Sequence, residues 1–195
     1  SASRIVAVGH AGAAIHSANG TTWTSLPTGS AQNLYGVALM GTKFCAVGDG
    51  GAVFTWNDGD GAWADHSPTT VTSENLRAIT VLPGTTNLFV AVGVNGTVIT
   101  SPDGVDWTLR SLGASATLHD VAWTGSSLVA VGVGGFVFTS PDGITWTSRA
   151  GVTAQDLNGV TGSGGTAVAV GSNGVALISQ DAGATWAKRD TGTSR

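Results

Sequence analysis

Residues 128–146 of the chain read LVAVGVGGFVFTSPDGITW and contain the pattern that decides the fold. Two short apolar runs are separated by a glycine cluster, and the second run ends at Ser140-Pro141-Asp142-Gly143. Glycine and Pro-Asp-Gly sequences supply the positive-φ residues that tight turns require. Because both runs are short and rich in β-branched residues, the stretch predicts two antiparallel strands joined by a tight turn. A second tight turn follows them, and it ends at a tryptophan.

The same pattern occurs five times along the chain. Ala-Val-Gly recurs with steps of 39, 45, 39 and 39 residues between its glycines, and a tryptophan follows each glycine after 14 or 15 residues. The glycines are Gly9, Gly48, Gly93, Gly132 and Gly171, and the tryptophans are Trp23, Trp63, Trp107, Trp146 and Trp186. A fixed period of about 40 residues with four short strands is typical of a propeller, whose blades bury their faces against neighbouring blades.

The sequence therefore predicts an all-β fold, a five-bladed β-propeller of four-stranded antiparallel blades. We expect a single domain over residues 1–195, with repeats at approximately 1–29, 30–71, 72–113, 114–152 and 153–195. A first, innermost strand can be identified only four times, beginning at Asn33, Asn75, Thr117 and Asp156.

The first blade is thus expected to differ from the others. Three explanations are open: the blade has three strands, residues upstream were lost, or a partner chain donates the strand, which would allow a homo-oligomer through this blade. The polar tail, residues 191–195, does not favour a strand. Since the sequence begins at Ser1 without a methionine, a processed form or a fragment is expected.

The end of each repeat carries a resemblance to a known family. Residues 179–186, Ser-Gln-Asp-Ala-Gly-Ala-Thr-Trp, resemble the Asp-box hairpin of BNR-like propellers. Residues 101–107 and 140–146 are one residue shorter, Asn19 replaces the aspartate in the first repeat, and residues 55–63 depart further. The resemblance spans the chain and extends to propellers of sialidases, sortilin-type receptors and photosystem assembly factors. It implies a self-bonded hairpin with a packed tryptophan and, since these proteins differ in activity, no particular function.

Composition and charge exclude several classes of function. Eight Lys and Arg against twelve Asp and Glu give a net charge of −4, and without a basic cluster we do not expect nucleic acid as a partner. No apolar stretch is long enough to predict membrane insertion. The glycine strings predict hairpin turns rather than dinucleotide loops, so no cofactor is expected. Cys45, the only cysteine, is predicted to be a buried, inert thiol.

Catalytic and metal sites find little support. The resemblance to sialidases would require an arginine cluster and a Tyr and Glu pair, but Tyr35 and Glu74 are the only residues of their types, and the Phe-Arg-Ile-Pro signature is absent. The scattered histidines do not have zinc spacing. A calcium site in residues 57–61 lacks a downstream glutamate, so no metal is expected. A non-enzymatic protein is therefore predicted.

Candidate binding residues are the exceptions to the repeat. The residue after the inner-strand leucine differs in each blade, whereas its surroundings repeat, which is typical of a recognition surface and equally of an exposed position that is free to vary. These residues are Tyr35, Arg77, His119 and Asn158, with Asp49 in a nearby loop. Trp56 aligns with Ala18, Pro102, Pro141 and Gln180, and is expected to be exposed beside Asn57, Asp58 and Asp60, where it could stack on a sugar ring.

Three functions follow from these residues. The preferred one is a carbohydrate-binding or receptor-binding module in an extracellular, cell-surface or virion-associated setting. The alternative is a protein-docking scaffold like the photosystem assembly propellers, although their basic patch has no counterpart here. The third is a glycoside hydrolase with an unrecognised site.

Overall fold

The computed structural model describes residues 4–85, 87–149, 151–189 and 191–192, and within them strands form five antiparallel sheets. The first sheet has three strands and each of the others has four. The first sheet contains β1 (Ile5–Val8), β2 (Ala14–Ser17) and β3 (Thr24–Ser25). The second contains β4 (Leu34–Met40), β5 (Lys43–Gly48), β6 (Val53–Asn57) and β7 (Ala64–Asp65). The third contains β8 (Leu76–Leu82), β9 (Leu88–Gly93), β10 (Val98–Ser101) and β11 (Thr108–Arg110). The fourth contains β12 (Leu118–Trp123), β13 (Leu128–Gly132), β14 (Val137–Ser140) and β15 (Thr147–Ser148). The fifth contains β16 (Leu157–Ser163), β17 (Thr166–Gly171), β18 (Ala176–Ser179) and β19 (Ala187–Arg189).

This arrangement confirms the predicted all-β, five-bladed propeller fold. Each blade is a meander in which sequential strands pair, and β4, β8, β12 and β16 are the inner strands. The three-stranded first blade is also confirmed, because β1 pairs only with β2 and occupies the edge of its sheet. The innermost position of blade one is therefore vacant among the described residues.

The hydrophobic core is divided among the junctions between blades. Four apolar clusters join blade one to two, two to three, three to four, and four to five. In β13, Leu128 and Ala130 face blade three, whereas Val129 and Val131 face blade five, so the strand is buried on both faces. The second strands of blades two and three are buried in the same way, and this double burial explains their uninterrupted apolar runs.

The turn before each repeat's last strand is held by its own side chains. In blade five, Ser179 Oγ accepts the N–H of Gly183 at 2.8 Å, and the Asp181 carboxylate accepts both the N–H and the hydroxyl of Thr185, at 2.8 and 2.6 Å. The indole N–H of Trp186 donates to the Gly183 carbonyl at 3.0 Å. Blades one, three and four have the corresponding backbone and indole bonds. The turn is therefore held mainly by its own groups, and the Ala182 N–H adds a bond to the Gly165 carbonyl at 2.7 Å.

The acidity of Asp181 offers a test of this turn. The Thr185 hydroxyl, followed by its amide, holds the pKa of Asp181 at about 2, below the ordinary 3.8. A carboxylate whose folded pKa is depressed stabilises the fold above its unfolded pKa, and this contribution is lost as the pH falls toward the folded pKa. We expect Thr185→Val to raise the Asp181 pKa toward 3.8, as measured by NMR titration of the carboxyl carbon. Thr145→Val, at the matching position of blade four, is the control and should leave the Asp181 pKa unchanged. If the titration midpoint of Asp181 is the same in Thr185→Val as in wild type, the Thr185 hydroxyl does not lower this pKa.

Candidate binding rim

A β-bulge at the start of each inner strand positions the four variable residues. In β4 the partner of Leu34 is Gly48 and the partner of Gly36 is Val47, so Tyr35 is left without a partner in the ladder. The same register shift leaves Arg77, His119 and Asn158 without a ladder partner in the other three inner strands. A bulged residue is released from the strand's alternation and its side chain can be turned out of the sheet. We call these four residues, with the turns that follow the second strands, the rim.

Two rim residues of adjacent blades contact each other. The Arg77 guanidinium carbon lies 4.9 Å from the centre of the Tyr35 ring, which is within cation–π range. The Tyr35 side chain is 40% exposed. Among the described residues the single ion pair joins Arg4 to Asp58, so Arg77 has no carboxylate partner there. The ring thus orients a cation whose charge is available to a ligand.

His119 and Asn158 lie on the next two inner strands. His119 Nδ1 lies 3.2 Å from the carbonyl oxygen of Leu157, on the following inner strand. In the tautomer that donates this bond, Nε2 remains available as an acceptor. Asn158, beside Leu157, is exposed. The structure therefore places these two residues in equivalent positions and ties the first to the strand that carries the second.

Asp49 lies in the turn after β5, at the rim, and its carboxylate is engaged. Asp49 Oδ2 accepts a 2.9 Å bond from the Asn33 amide, and Glu74 Oε1 accepts a 3.1 Å bond from the Asn95 amide. In blade five, Asn173 donates in the same way to the Gln155 side chain. In each of these blades a turn residue is thus bonded to the segment that leads into the inner strand. Asp49 is a supporting member of the rim.

Asp120, the neighbour of His119 in β12, is a residue that the sequence interpretation missed. Its carboxylate accepts the N–H of Val160 on the next inner strand and the N–H of Val121, both at 2.8 Å. Burial nevertheless raises the pKa of Asp120, because these two bonds offset the loss of solvation only in part. The signal was present in the repeat, since the corresponding residues are small: Gly36, Ala78 and Gly159.

A polar cleft opens beside the rim on blade three. It encloses about 510 Å³ and its lining includes Glu74, Asn95, Leu109 and Arg110. The Arg110 Nε atom donates to the Thr100 hydroxyl at 2.8 Å, and Leu109 is exposed. The cleft thus combines a carboxylate, an amide, a guanidinium and an apolar side chain.

The prediction that Trp56 is an exposed sugar-stacking residue is wrong. Trp56 is 2% exposed and packs between blades one and two, with ring centres 5.1 Å from His16, 5.6 Å from Phe44 and 6.0 Å from Trp63. The β5–β6 register pairs Phe44 with Trp56, as the β13–β14 register pairs Leu128 with Ser140. Trp56 therefore occupies the buried serine position of the turn, one residue before the exposed position to which the sequence alignment assigned it.

Trp56 is also distant from the rim. Trp56 pairs with Phe44 of β5, which pairs with Leu39 of β4. Leu39 is four residues from Tyr35, about 13 Å along the strand, and Trp56 lies two strands farther out in the blade. Trp56 and Tyr35 therefore cannot form one site.

The oxygen-rich loop after Trp56 uses its carboxylates internally. Asp60 Oδ2 accepts both the backbone N–H of Asn57 at 3.0 Å and its side-chain amide at 2.9 Å, while Asp58 pairs with Arg4 at 2.8 Å. The side-chain bond from Asn57, followed by the backbone one, lowers the pKa of Asp60. Within the described ranges, no three His, Cys, Asp or Glu side chains come together as a metal site would require. The part of the chain that the structure describes contains no helix long and apolar enough to cross a bilayer.

Comparisons with known proteins identify the fold and no family. No protein-family model and no curated protein sequence matches the chain. Among solved structures, "YCF48 bound to D1 peptide" matches with a TM-score of 0.73 and 17% identity, over 96% of this chain and 63% of that one. YCF48 from Cyanidioschyzon merolae matches with a TM-score of 0.71 and 15% identity, over 97% of this chain and 69% of that one. The WD40 propeller domain of Doa1 matches with a TM-score of 0.72 and 12% identity, over 92% and 62%. The chain thus spans about two thirds of the structures it resembles, and at these identities the likeness shows a propeller fold alone.

The burial of Trp56 predicts a large effect on stability. We expect Trp56→Ala to lower the free energy of unfolding by about 3–5 kcal/mol, because it opens a cavity between blades one and two. Trp23→Ala should cost clearly less, because Trp23 is 40% exposed. Urea unfolding of both variants measures the difference. Equal losses, or a stable Trp56→Ala protein, would contradict the burial of this side chain.

Proposed function

We propose that this chain is a non-catalytic propeller that binds a polypeptide partner at the rim and recognises a carboxylate of that partner. The observation that carries the proposal is the Arg77 guanidinium held 4.9 Å above the Tyr35 ring, with no carboxylate partner among the described residues. An arginine supported by an aromatic ring is pre-oriented, so less side-chain entropy is lost when it binds. Arginine and tyrosine are also the residue types most often responsible for affinity in protein interfaces.

The charges of the rim favour an acidic group on the partner. The carboxylates of Asp49, Glu74 and Asp120 already accept hydrogen bonds from amides of this chain. Their acceptor capacity is therefore partly used, whereas the Arg77 donors face no acid. A planar guanidinium binds a carboxylate through two parallel bonds, which makes it more selective than an ammonium group. His119 and the Asn158 amide, farther along the rim, add polar contacts suited to a peptide backbone.

The comparisons support a polypeptide ligand over a glycan. One similar structure is described as YCF48 with a bound D1 peptide, so a propeller of this shape does bind a peptide in that protein. The carbohydrate hypothesis depended on an exposed Trp56, and that side chain is buried. The docking-scaffold alternative therefore fits better. The Asp-box relationship, the extracellular setting and self-association through blade one stay predictions from the sequence.

The absence of an enzymatic activity belongs to the same proposal. Tyr35 is covered by Arg77, and Glu74 is bonded to Asn95, so neither has the surroundings of a nucleophile or its base. Asp120 has a raised pKa, but both of its oxygens accept backbone N–H groups, which favours a structural role.

A peptide-display selection tests the proposed rim. A library of random twelve-residue peptides is selected on the whole chain and then counter-screened on Arg77→Ala. We expect the enriched peptides to be rich in Asp, Glu or a free C-terminal carboxylate, and to bind Arg77→Ala about tenfold more weakly or worse.

Two control variants distinguish specific recognition by Arg77 from nonspecific electrostatic attraction. Arg189→Ala removes an exposed arginine from the outer strand of blade five and should leave peptide binding unchanged. Tyr35→Phe keeps the ring beneath Arg77 and should retain most of the affinity, whereas Tyr35→Ala should not. If no peptide is enriched, or if the enriched peptides bind wild type and Arg77→Ala equally, the proposed function is wrong.

A further inference from the structure

The four inner strands begin in the same register, so their positions can be compared from blade to blade. In blade two, a side-chain carbon placed on Gly48 would be 2.0 Å from the Asn33 carbonyl oxygen. The same close approach occurs at Gly93, Gly132 and Gly171, with distances of 2.1, 2.0 and 1.9 Å to the carbonyl before the inner strand. The residue after each of these glycines donates its N–H to that carbonyl at 2.8 to 3.0 Å. Equivalent backbone groups of these blades therefore point in the same direction.

At the junction between blades four and five, the inner-strand backbone binds a carboxylate of the chain itself. Asp120 accepts the N–H of Val160, on the next inner strand, and the N–H of Val121, both at 2.8 Å. The N–H groups of a strand alternate between its two sides, and this one is directed away from β17 to the free edge of the sheet. The junction thus shows how this fold binds a carboxylate, through a backbone N–H at the free edge of an inner strand.

The junction between blades two and three has the same backbone donor and lacks the carboxylate. Ile79 occupies the register position of Val160, so its N–H also leaves the strand at the free edge. The residue that corresponds to Asp120 is Gly36, and a side-chain carbon placed on it would be 3.2 Å from the Ile79 nitrogen. Position 36 therefore faces this N–H and contributes no acceptor. Within the described ranges, no side chain and no carbonyl of another blade accepts it.

This unmatched donor distinguishes one junction from its neighbours. The equivalent N–H groups at the next two junctions belong to Val121 and Val160, and Asp120 accepts both of them. Ile79 is 9% exposed, and the N–H of a mostly buried residue costs free energy when it has no acceptor. In the part of the chain that the structure describes, the junction between blades two and three is thus suited to an acceptor from outside the chain.

The Arg77 and Tyr35 pair lies at the same junction. Tyr35 immediately precedes Gly36, and Arg77 precedes Ile79 by two residues. The guanidinium extends from blade three toward blade two, where its carbon lies 4.9 Å from the centre of the Tyr35 ring. A cation at the rim and a backbone N–H at the strand edge are therefore donors to one junction. A carboxylate has two oxygens and binds charged and backbone donors at the same time.

We infer that the carboxylate recognised by Arg77 enters the junction between blades two and three and accepts the N–H of Ile79. Asp120 is the internal example of this contact. The inference rests on the proposed function, because it places the carboxylate that the rim binds. It adds a second donor and makes Gly36 a specificity-determining residue, since a side chain there would compete for the same N–H. An aspartate or glutamate side chain and a C-terminal carboxylate share the required chemistry.

An NMR titration of the whole, isotope-labelled chain tests this contact. The probe is acetyl-aspartate amide, and we expect it to move the Ile79 amide proton downfield in a saturable manner, because a carboxylate acceptor forms a strong hydrogen bond. The Val160 amide should not move, since it is already bonded to Asp120. Acetyl-asparagine amide has the same shape without the charge, and it should bind about tenfold more weakly or worse.

Two further probes identify the source of the carboxylate. Acetyl-glutamate amide carries it on a side chain that is longer by one methylene, and acetyl-alanine carries it at the C-terminus. A response of Ile79 to any of the three acids supports the inference, and the acid that binds most tightly identifies the source. Arg77→Ala should weaken this response about tenfold or more, because the charged donor is lost, whereas Arg189→Ala should leave it unchanged.

Gly36→Asp is the decisive variant, and Gly36→Ala is its matched control. Both add a carbon 3.2 Å from the Ile79 nitrogen, so both have a similar steric cost, and the aspartate alone supplies an acceptor. We expect the Ile79 amide of Gly36→Asp to be shifted downfield without any probe and to give no response to acetyl-aspartate amide. Gly36→Ala should show no such downfield shift.

The outcomes separate this inference from the proposed function. If the acids shift the side-chain Nε–H of Arg77 and leave the Ile79 amide unmoved, the carboxylate stops at the guanidinium, so the inference is wrong and the proposed function stands. Equal responses of Ile79 to the aspartate and asparagine probes, or coinciding Ile79 amides in Gly36→Asp and Gly36→Ala, also overturn the inference. If neither residue responds to any acid, the inference is wrong, and the selected peptides alone decide the proposed function.

Discussion

The close approach of a carbonyl oxygen to a glycine α-carbon is the contact on which blades two to five depend. It fixes where each inner strand begins relative to the second strand of its blade, and the neighbouring N–H completes it with a hydrogen bond. Because one residue of slippage would move an entire strand's apolar side chains to the wrong face, this anchor also protects the cores on both sides. The bulge that follows one residue later is positioned by the same anchor, and so are the side chains of the rim.

Local patterns made most of the fold predictable, and long-range contacts account for what was missed. The turns are formed by residues adjacent in sequence, so their Gly, Asp and Trp signals could be recognised without a structure. Trp56 was misplaced because the turn of blade two, residues 57–61, departs from the others, and the alignment slipped by one position onto an exposed site. In an alternating strand one position separates a core residue from a surface residue.

Asp120 illustrates a second limit of the sequence. Its role depends on the N–H of Val160, forty residues away and on another blade. No residue close to Asp120 in the sequence indicates that partner. The four variable rim residues were found because the repeat supplied an internal comparison, although their bulged geometry was not expected from the residue types. The sequence also does not show which polar side chains are already engaged by other residues. The bond from the Asn33 amide to the Asp49 carboxylate is an example.

The bulges at the rim have a consequence for how easily this surface can change. A bulged residue has no partner of its own in the ladder, so the replacement of its side chain leaves the pairing of Leu34 with Gly48, and the equivalent pairings in the other blades, in place. Four such sites converge on one end of the molecule, each on its own inner strand. Their side chains can therefore be exchanged on a constant backbone, Tyr35 and Arg77 as a contacting pair and His119 and Asn158 one by one. Such a surface is suited to combinatorial diversification, in which one stable scaffold acquires many specificities through four substitutions that hardly affect folding.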